Sequence, residues 1–334
     1  MRQRLLATRS APALLIGVLA LAVAAKAQAP SPTKNQKATP KAWAAPRGAG
    51  GHPDLEGIWT NVTLTPFERA RDLAGKEFFT EKEAAEFEKR VLEASDRDRR
   101  GATPEDDVGL AYNEAWFERG KVSPTRRTSI VIDPPDGRVP PLTPQAQRAA
   151  AARAAVQRRL PTGPEDFTLP VRCILWPTAG PPMVSGPYNN NYQIVQTAEY
   201  VAIYVEMIHD VRIIPLDGRP HLASNLRQWM GDSRGRWEGD TLVVDTTNFT
   251  DKTSFRGSDQ NLHLIERFTR ASPETILYRF TVDDPTAFTK PWTGEIAFMK
   301  TSGPIYEYAC HEGNYAMSNM LSAARQAEKT GQSK

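Results

Sequence analysis

The chain has 334 residues, with 42 Lys plus Arg against 39 Asp plus Glu and 40% apolar side chains, enough to build a sizeable core. Four of the basic residues, Arg2, Arg4, Arg9 and Lys26, fall in a removable leader. The remaining 38 leave the rest near neutrality, and no basic stripe interleaved with aromatics occurs, which disfavours a nucleic-acid partner.

MRQRLLATRSAP is followed by an apolar run from Ala13 to Ala25 and by Ala25-Lys26-Ala27, the order of a signal peptide. Residues 1–27 are expected to be removed by a cut after Ala27, leaving a periplasmic or secreted protein. A cut after Ala29 would place Pro30 next to the scissile bond and is the poorer choice. The run is too short for a permanent span, and no later segment reaches the roughly twenty apolar residues that a transmembrane helix needs. Residues 28–52, rich in Ala, Pro, Lys, Gly and Ser, read as a flexible tether.

Folded structure is expected from DLEGIWTNV, residues 54–62, a strand anchored by Trp59. In the helix predicted over 80–100, Thr80 and Glu83 make a capping-box pair, and Ala84, Phe87, Val91 and Leu92 form a narrow apolar stripe. A strand at Thr128–Asp133 leads through PPDG to Thr143, which caps a solvated helix over 144–158 that begins with Pro144. From Arg172 the segments VRCILW, NYQIVQT, YVAIYVE, DVRIIPL, GRWEGDTLVVDTT, LIERFTR, TILYRFTVD, TGEIAFMK and IYEYAC are rich in Val, Ile, Tyr, Phe and Thr. They alternate with turn residues at about ten-residue intervals, an all-β signature. Hairpins are expected at Thr197–Tyr200, Asp217-Gly218, Glu238–Asp240 and Ser272–Glu274. The predicted fold is a single antiparallel lipocalin-like (calycin-type) β-barrel over 53–325, decorated by helices, with a disordered tail at 326–334.

Cys173 and Cys310 are the two cysteines, and in an oxidising compartment they are expected to form one disulfide. The alternative, Cys310 as a nucleophile beside His311, requires a reduced thiol.

GRWEGDTLVVDTTNFTDKT at 235–253, with EMIHDVRIIPLDGRPH before it and YEYACHEGNY after it, resembles a family of mostly uncharacterised exported proteins of soil bacteria such as acidobacteria and sphingomonads. The resemblance covers roughly residues 124–325. It implies bacterial export and carries over no catalytic residue.

Ionisable side chains concentrate at YVAIYVEMIHDVRIIPLDG, where Glu206, His209, Asp210 and Arg212 lie between two strands, a pattern expected at a barrel rim. In NLHLIERFTR, Glu266 shares a face with Leu264 and Phe268, and the structural reading is a buried pair with Arg279 or Arg212. CHEGNY sets His311 and Glu312 after the expected disulfide, with Glu312 or Asn314 available to cap the helix that follows. Of five histidines, His209, His263 and His311 are the candidate ligands or bases, while His52 falls in the tether and His221 in a loop. No tight H-x-H spacing occurs, so the cofactor is either absent or a divalent metal. Asp245, Thr247 and Asn248 end one strand. Asn189, Asn190 and Asn191 are a candidate polar-ligand loop.

No G-x-S-x-G elbow, P-loop or dinucleotide fingerprint is present. Two readings follow. The first is an enzyme acting on a small apolar or amphipathic molecule by isomerase, lyase or hydrolase chemistry, with Glu206, His209, Asp210, His263, Glu266 and His311 as acid–base groups. Tyr204, Arg212, Trp237, Asn248, Trp292 and Glu312 would then contact the ligand. The second is a non-catalytic binding protein whose barrel wall includes Tyr204, Trp229, Trp237 and Trp292.

Overall fold

The computed structural model describes residues 43–99, 101, 103–109, 112–253 and 255–331. The leader, the first part of the tether and the last three residues of the tail lie outside them. Ten strands run antiparallel: β1 (Gly57–Thr60), β2 (Val131–Asp133), β3 (Asn191–Gln196), β4 (Tyr200–Val205), β5 (Val211–Pro215), β6 (Asp232–Glu238), β7 (Thr241–Thr247), β8 (His263–Ser272), β9 (Thr275–Asp283) and β10 (Trp292–Thr301). Among the described residues four α-helices accompany them, α1 (Glu81–Ser95), α2 (Pro104–Gly109), α3 (Pro144–Gln157) and α4 (Ala316–Lys329). The order across the sheet is β5-β4-β3-β1-β10-β9-β8-β7-β6, with β2 added alongside β10. The expected meander is thus two meanders, β3–β5 and β6–β10, joined by β1, whose Trp59 lies opposite Tyr192 on one side and Lys300 on the other.

Alternation along the strands builds one buried face. Val201, Ile203, Ile214, Leu242, Val244, Leu264, Phe268, Tyr278 and Phe280 are inside, while most intervening positions are partly or fully exposed; Val243 on β7 is buried as well. That face is filled by large side chains. Trp292, expected at a cavity wall, is fully buried, with its ring 5.9 Å from Phe67, 6.0 Å from Phe255 and 5.8 Å from Phe280. It packs core instead of lining a lumen.

No hydrogen-bonded ladder joins β5 to β6, so the sheet is not closed. Side chains fill the seam. Arg212 on β5 donates from Nε to Ser233 Oγ on β6 at 3.0 Å and from Nη2 to Thr246 Oγ1 on β7 at 3.0 Å. Its Nη1 reaches Glu266 Oε1 on β8 at 2.9 Å, and Tyr278 on β9 donates to the same oxygen at 2.8 Å. Gly235 completes the fit, because a Cβ there would come within 2.5 Å of Leu216 Cδ2 and 2.8 Å of Ile214 Cγ2.

Several local expectations change. VRCILW forms a turn, flanked by Pro170 and Pro177 and with Cys173 at φ 54°. IYEYAC makes no strand either; the Tyr306 N–H donates to Glu206 Oε1 at 3.0 Å, away from any ladder. Asp217-Gly218 is not a hairpin, since β5 and β6 are unpaired and joined by the long loop 216–231. The outer end of the tether is docked: Arg47 donates to Asp240 at 2.6 Å, and His52 stacks on Trp237 with centroids 4.7 Å apart.

Helix starts follow their caps. Thr80 Oγ1 accepts from Glu83 N at 3.3 Å and Thr80 N donates back to the Glu83 carboxylate at 2.9 Å. Of the stripe on α1, Ala84 and Phe87 pack against Phe79 and Val122, while Leu92 is exposed. Thr143 Oγ1 accepts from Ala146 N at 3.1 Å at the start of α3. Asn314 rather than Glu312 serves the start of α4, taking the Ala316 N–H at 3.1 Å. That helix runs to Lys329, into the stretch expected to be disordered.

Candidate functional site

The densest set of imidazoles and carboxylates lies on the outer face, where β7, β8 and the loop 216–231 meet. Alternation on β7 turns Asp245 outward, and alternation on β8 does the same for His263. Asp245 sits opposite Ile265, next to His263 in the β7–β8 register. His263 donates from Nε2 to Asp245 Oδ1 at 3.0 Å. His221 folds down from the loop and places its Nε2 3.2 Å from the same oxygen. Its Nδ1 lies 3.0 Å from Asp232 Oδ2, and Arg234 donates to the other Asp232 oxygen at 2.6 Å. The result is a linear chain, Arg234–Asp232–His221–Asp245–His263.

Donor counting gives the chain its character. His221 places one ring nitrogen on each of two carboxylates, Nδ1 on Asp232 and Nε2 on Asp245. His263 has one nitrogen committed to Asp245, and its Nδ1 has no partner among the described residues, with the side chain 42% exposed. Burial pushes the Asp245 carboxyl up, but the hydrogen bonds and charges of His263 and His221 outweigh it and hold its pKa below the ordinary value. The hydrogen bond to Asp245 raises the pKa of His263, against burial.

Asn248 holds the loop that carries His221. It has φ 58°, a left-handed conformation that Asn tolerates, and its Nδ2 donates to the carbonyls of Leu222 at 3.0 Å and Ala223 at 3.2 Å. Its role is therefore to position the loop.

The remaining candidates disperse. Glu206 is buried just past β4 in a tight turn, its two oxygens receiving the N–H groups of Asn191 at 3.3 Å and Tyr306 at 3.0 Å, so it organises backbone. His209 is exposed and donates from Nδ1 to the Tyr308 carbonyl at 2.9 Å. Burial raises the pKa of the neighbouring Asp210, against its bond from Val211 N and the charge of His209. Tyr204 faces outward from β4, its pKa raised by burial and by Glu206 and Glu307. Arg212 and Glu266 form the buried pair of the seam, the structural alternative recognised in the sequence. His311 and Glu312 are exposed, and neither side chain has a hydrogen bond or ion pair among the described residues. Among the Asn run, Asn190 is buried and bonded to Glu118 at 2.7 Å, a loop tie.

The disulfide is formed, Cys173 to Cys310. Among the described residues no three His, Cys, Asp or Glu side chains are grouped to hold a metal ion, and no helix is long and apolar enough to cross a membrane. A recess of about 580 Å³ opens between α3, residues 165–181 and residues 251–253 and 255, lined by Val156, Phe167, Leu169, Trp176, Arg172 and Lys252 among others. None of the expected catalytic residues lines it.

The chain matches no protein-family model, no curated protein and no solved structure.

Sequence reasoning missed His221, Asp232 and Arg234. The signal for the last two was parity: Asp232 and Arg234 fall two apart on one strand, and Asp245 lies opposite Arg234 on the next. His221 carried no such signal, because a loop has no period.

Proposed function

We propose that this is an exported bacterial enzyme of acid–base type, acting on a small apolar or amphipathic molecule, with His263 as the proton-transfer group. The observation that supports this reading is the Asp245–His263 pair: Nε2 is tied to a carboxylate while Nδ1 has no partner among the described residues on a side chain that is 42% exposed. In that tautomer Nδ1 carries the lone pair, and it accepts a proton from substrate or from an attacking water. Asp245 stabilises the imidazolium that forms, and His221, pinned by Asp232, keeps Asp245 oriented. No Ser, Thr or Cys is bonded to His263 among the described residues, which favours direct proton abstraction or water activation over a covalent nucleophile.

The motifs that carry the family resemblance contain His221 and Asp245, and export is the expectation they bring. Curling of the sheet with a side-chain-sealed seam is how the lipocalin-like barrel reading fits this chain.

The test is turnover of a panel of small amphipathic esters, lactones and enolisable ketones by residues 28–334, comparing the wild type with His263→Ala and Asp245→Asn. Loss of roughly 100-fold or more in His263→Ala, with the circular dichroism spectrum unchanged, is expected for a general base. Full activity in that variant would sink the proposal.

The apolar recess favours a second reading, ligand binding without turnover. Quenching or enhancement of Trp176 fluorescence by the same compounds, with no product formed, would select it.

A further inference from the structure

We infer that the recess framed by Arg69, Arg71 and Arg138 is a binding site for a doubly charged tetrahedral oxyanion, inorganic phosphate or a phosphomonoester. It is separate from the imidazole–carboxylate chain and from the apolar recess, and does not depend on the enzymatic reading.

The recess has a volume of about 350 Å³, and its ionisable lining consists of those three arginines and Asp136. Arg69 is 3% exposed, yet it has no carboxylate partner among the described residues. Its Nε donates to Thr128 Oγ1 at 3.0 Å and its Nη1 to the Pro135 carbonyl at 2.7 Å, while Nη2 has no acceptor among the described residues. The other buried arginines differ: Arg212 is paired with Glu266, and Arg270 places all three of its nitrogens on carbonyls. The partly buried Arg127 is paired with Glu77 and Glu295. Burying a cation without a counter-charge is costly, and an anion in the recess supplies the one that the protein omits.

The neighbouring arginines are idle in the same sense. Arg71 is exposed, and its side chain has no hydrogen bond or ion pair among the described residues. Arg138 uses Nη1 on the Arg69 carbonyl at 2.9 Å and has no carboxylate partner. Asp136 spends Oδ1 on the Arg138 N–H at 3.1 Å, closing its own turn.

The backbone is built to hold this arrangement. The Arg69 N–H donates to the Gly137 carbonyl at 2.8 Å, locking the 69–71 segment to the turn after β2. Gly137 has φ 71°, and a Cβ there would fall 2.9 Å from Arg69 Cβ and 3.0 Å from its Cζ. A side chain at 137 is therefore excluded by both conformation and space. Three guanidinium charges against one carboxylate leave two positive charges unmatched, the complement of a phosphate dianion. Guanidinium forks suit its oxygens.

The experiment is isothermal titration of residues 28–334, at neutral pH and low ionic strength, with inorganic phosphate and separately with phenyl phosphate. Arg71→Ala and Arg138→Ala are titrated alongside; neither side chain belongs to the buried core, and circular dichroism checks that they fold. Saturable heat is expected for the wild type, weakened on the order of tenfold by each substitution. Binding of phosphate alone assigns a free ion, and binding of phenyl phosphate alone assigns a phosphoester ligand. No saturable heat with either probe, or affinities unchanged in both variants, would overturn the inference.

Discussion

Glu266→Leu is the substitution whose outcome most sharply separates scaffold from site. Glu266 is wholly buried, and its carboxylate is shared by Arg212 and the Tyr278 hydroxyl. Removing it leaves the Arg212 guanidinium, itself 5% exposed, with only the Ser233 and Thr246 hydroxyls. Breaking one side of a buried pair costs about 3–5 kcal/mol, a large share of the roughly 5–15 kcal/mol that holds a typical domain together. The double variant Arg212→Met, Glu266→Leu removes both charges and is expected to recover most of that loss, because no uncompensated cation remains. The assay is urea unfolding of the oxidised protein, followed by tryptophan fluorescence and circular dichroism. Since Arg212 spans the unpaired β5–β6 seam, Glu266→Leu is also expected to speed hydrogen exchange of β5 and β6 amides selectively. A single-variant cost below about 1 kcal/mol, or strictly additive costs in the double variant, would refute the reasoning.

The remaining expectations concern charge and covalent closure. The lowered pKa of Asp245 makes its contribution present above its ordinary value of 3.8 and lost as pH falls through the folded value. The raised pKa of His263 makes its share present below 6.5 and lost as pH rises through the folded value. The wild type should therefore exceed Asp245→Asn in stability most between those two values, by about 0.5–1 kcal/mol after screening of a half-exposed pair; thermal midpoints that differ equally at every pH would contradict this. In Asp245→Asn the His263 pKa should also fall, read from imidazole proton shifts. Cys173 and Cys310 lie 137 residues apart, so the chain-entropy account gives the bond an upper value of roughly 5 kcal/mol. Guanidinium midpoints for oxidised protein and the Cys173→Ser, Cys310→Ser variant test it, and a difference under about 1 kcal/mol would show the closure to be inert.

Period and chemistry made much of this protein legible in its sequence. Eight of the strands, β3 to β10, arise from runs whose alternation matches a half-buried sheet, and Thr80, Thr143 and Asn314 announced their helices by cap chemistry that acts within one turn. The buried Arg212–Glu266 pair was recognisable because an acid on an apolar face demands a partner. VRCILW and IYEYAC misled because β-prone composition does not survive prolines and the lack of a ladder partner. The insertion of β1 between β3 and β10, the unpaired β5–β6 seam and the filled interior depend on which strands meet, a long-range choice that no local period encodes. The same holds for the sites. His263 drew notice as a histidine on a strand, but its tie to Asp245, the arrival of His221 from a loop and the isolation of Arg69 from any carboxylate are distances between residues remote in sequence. Local propensity fixes which elements form and which way their side chains face; only packing decides which charges find partners and which are left open to a ligand.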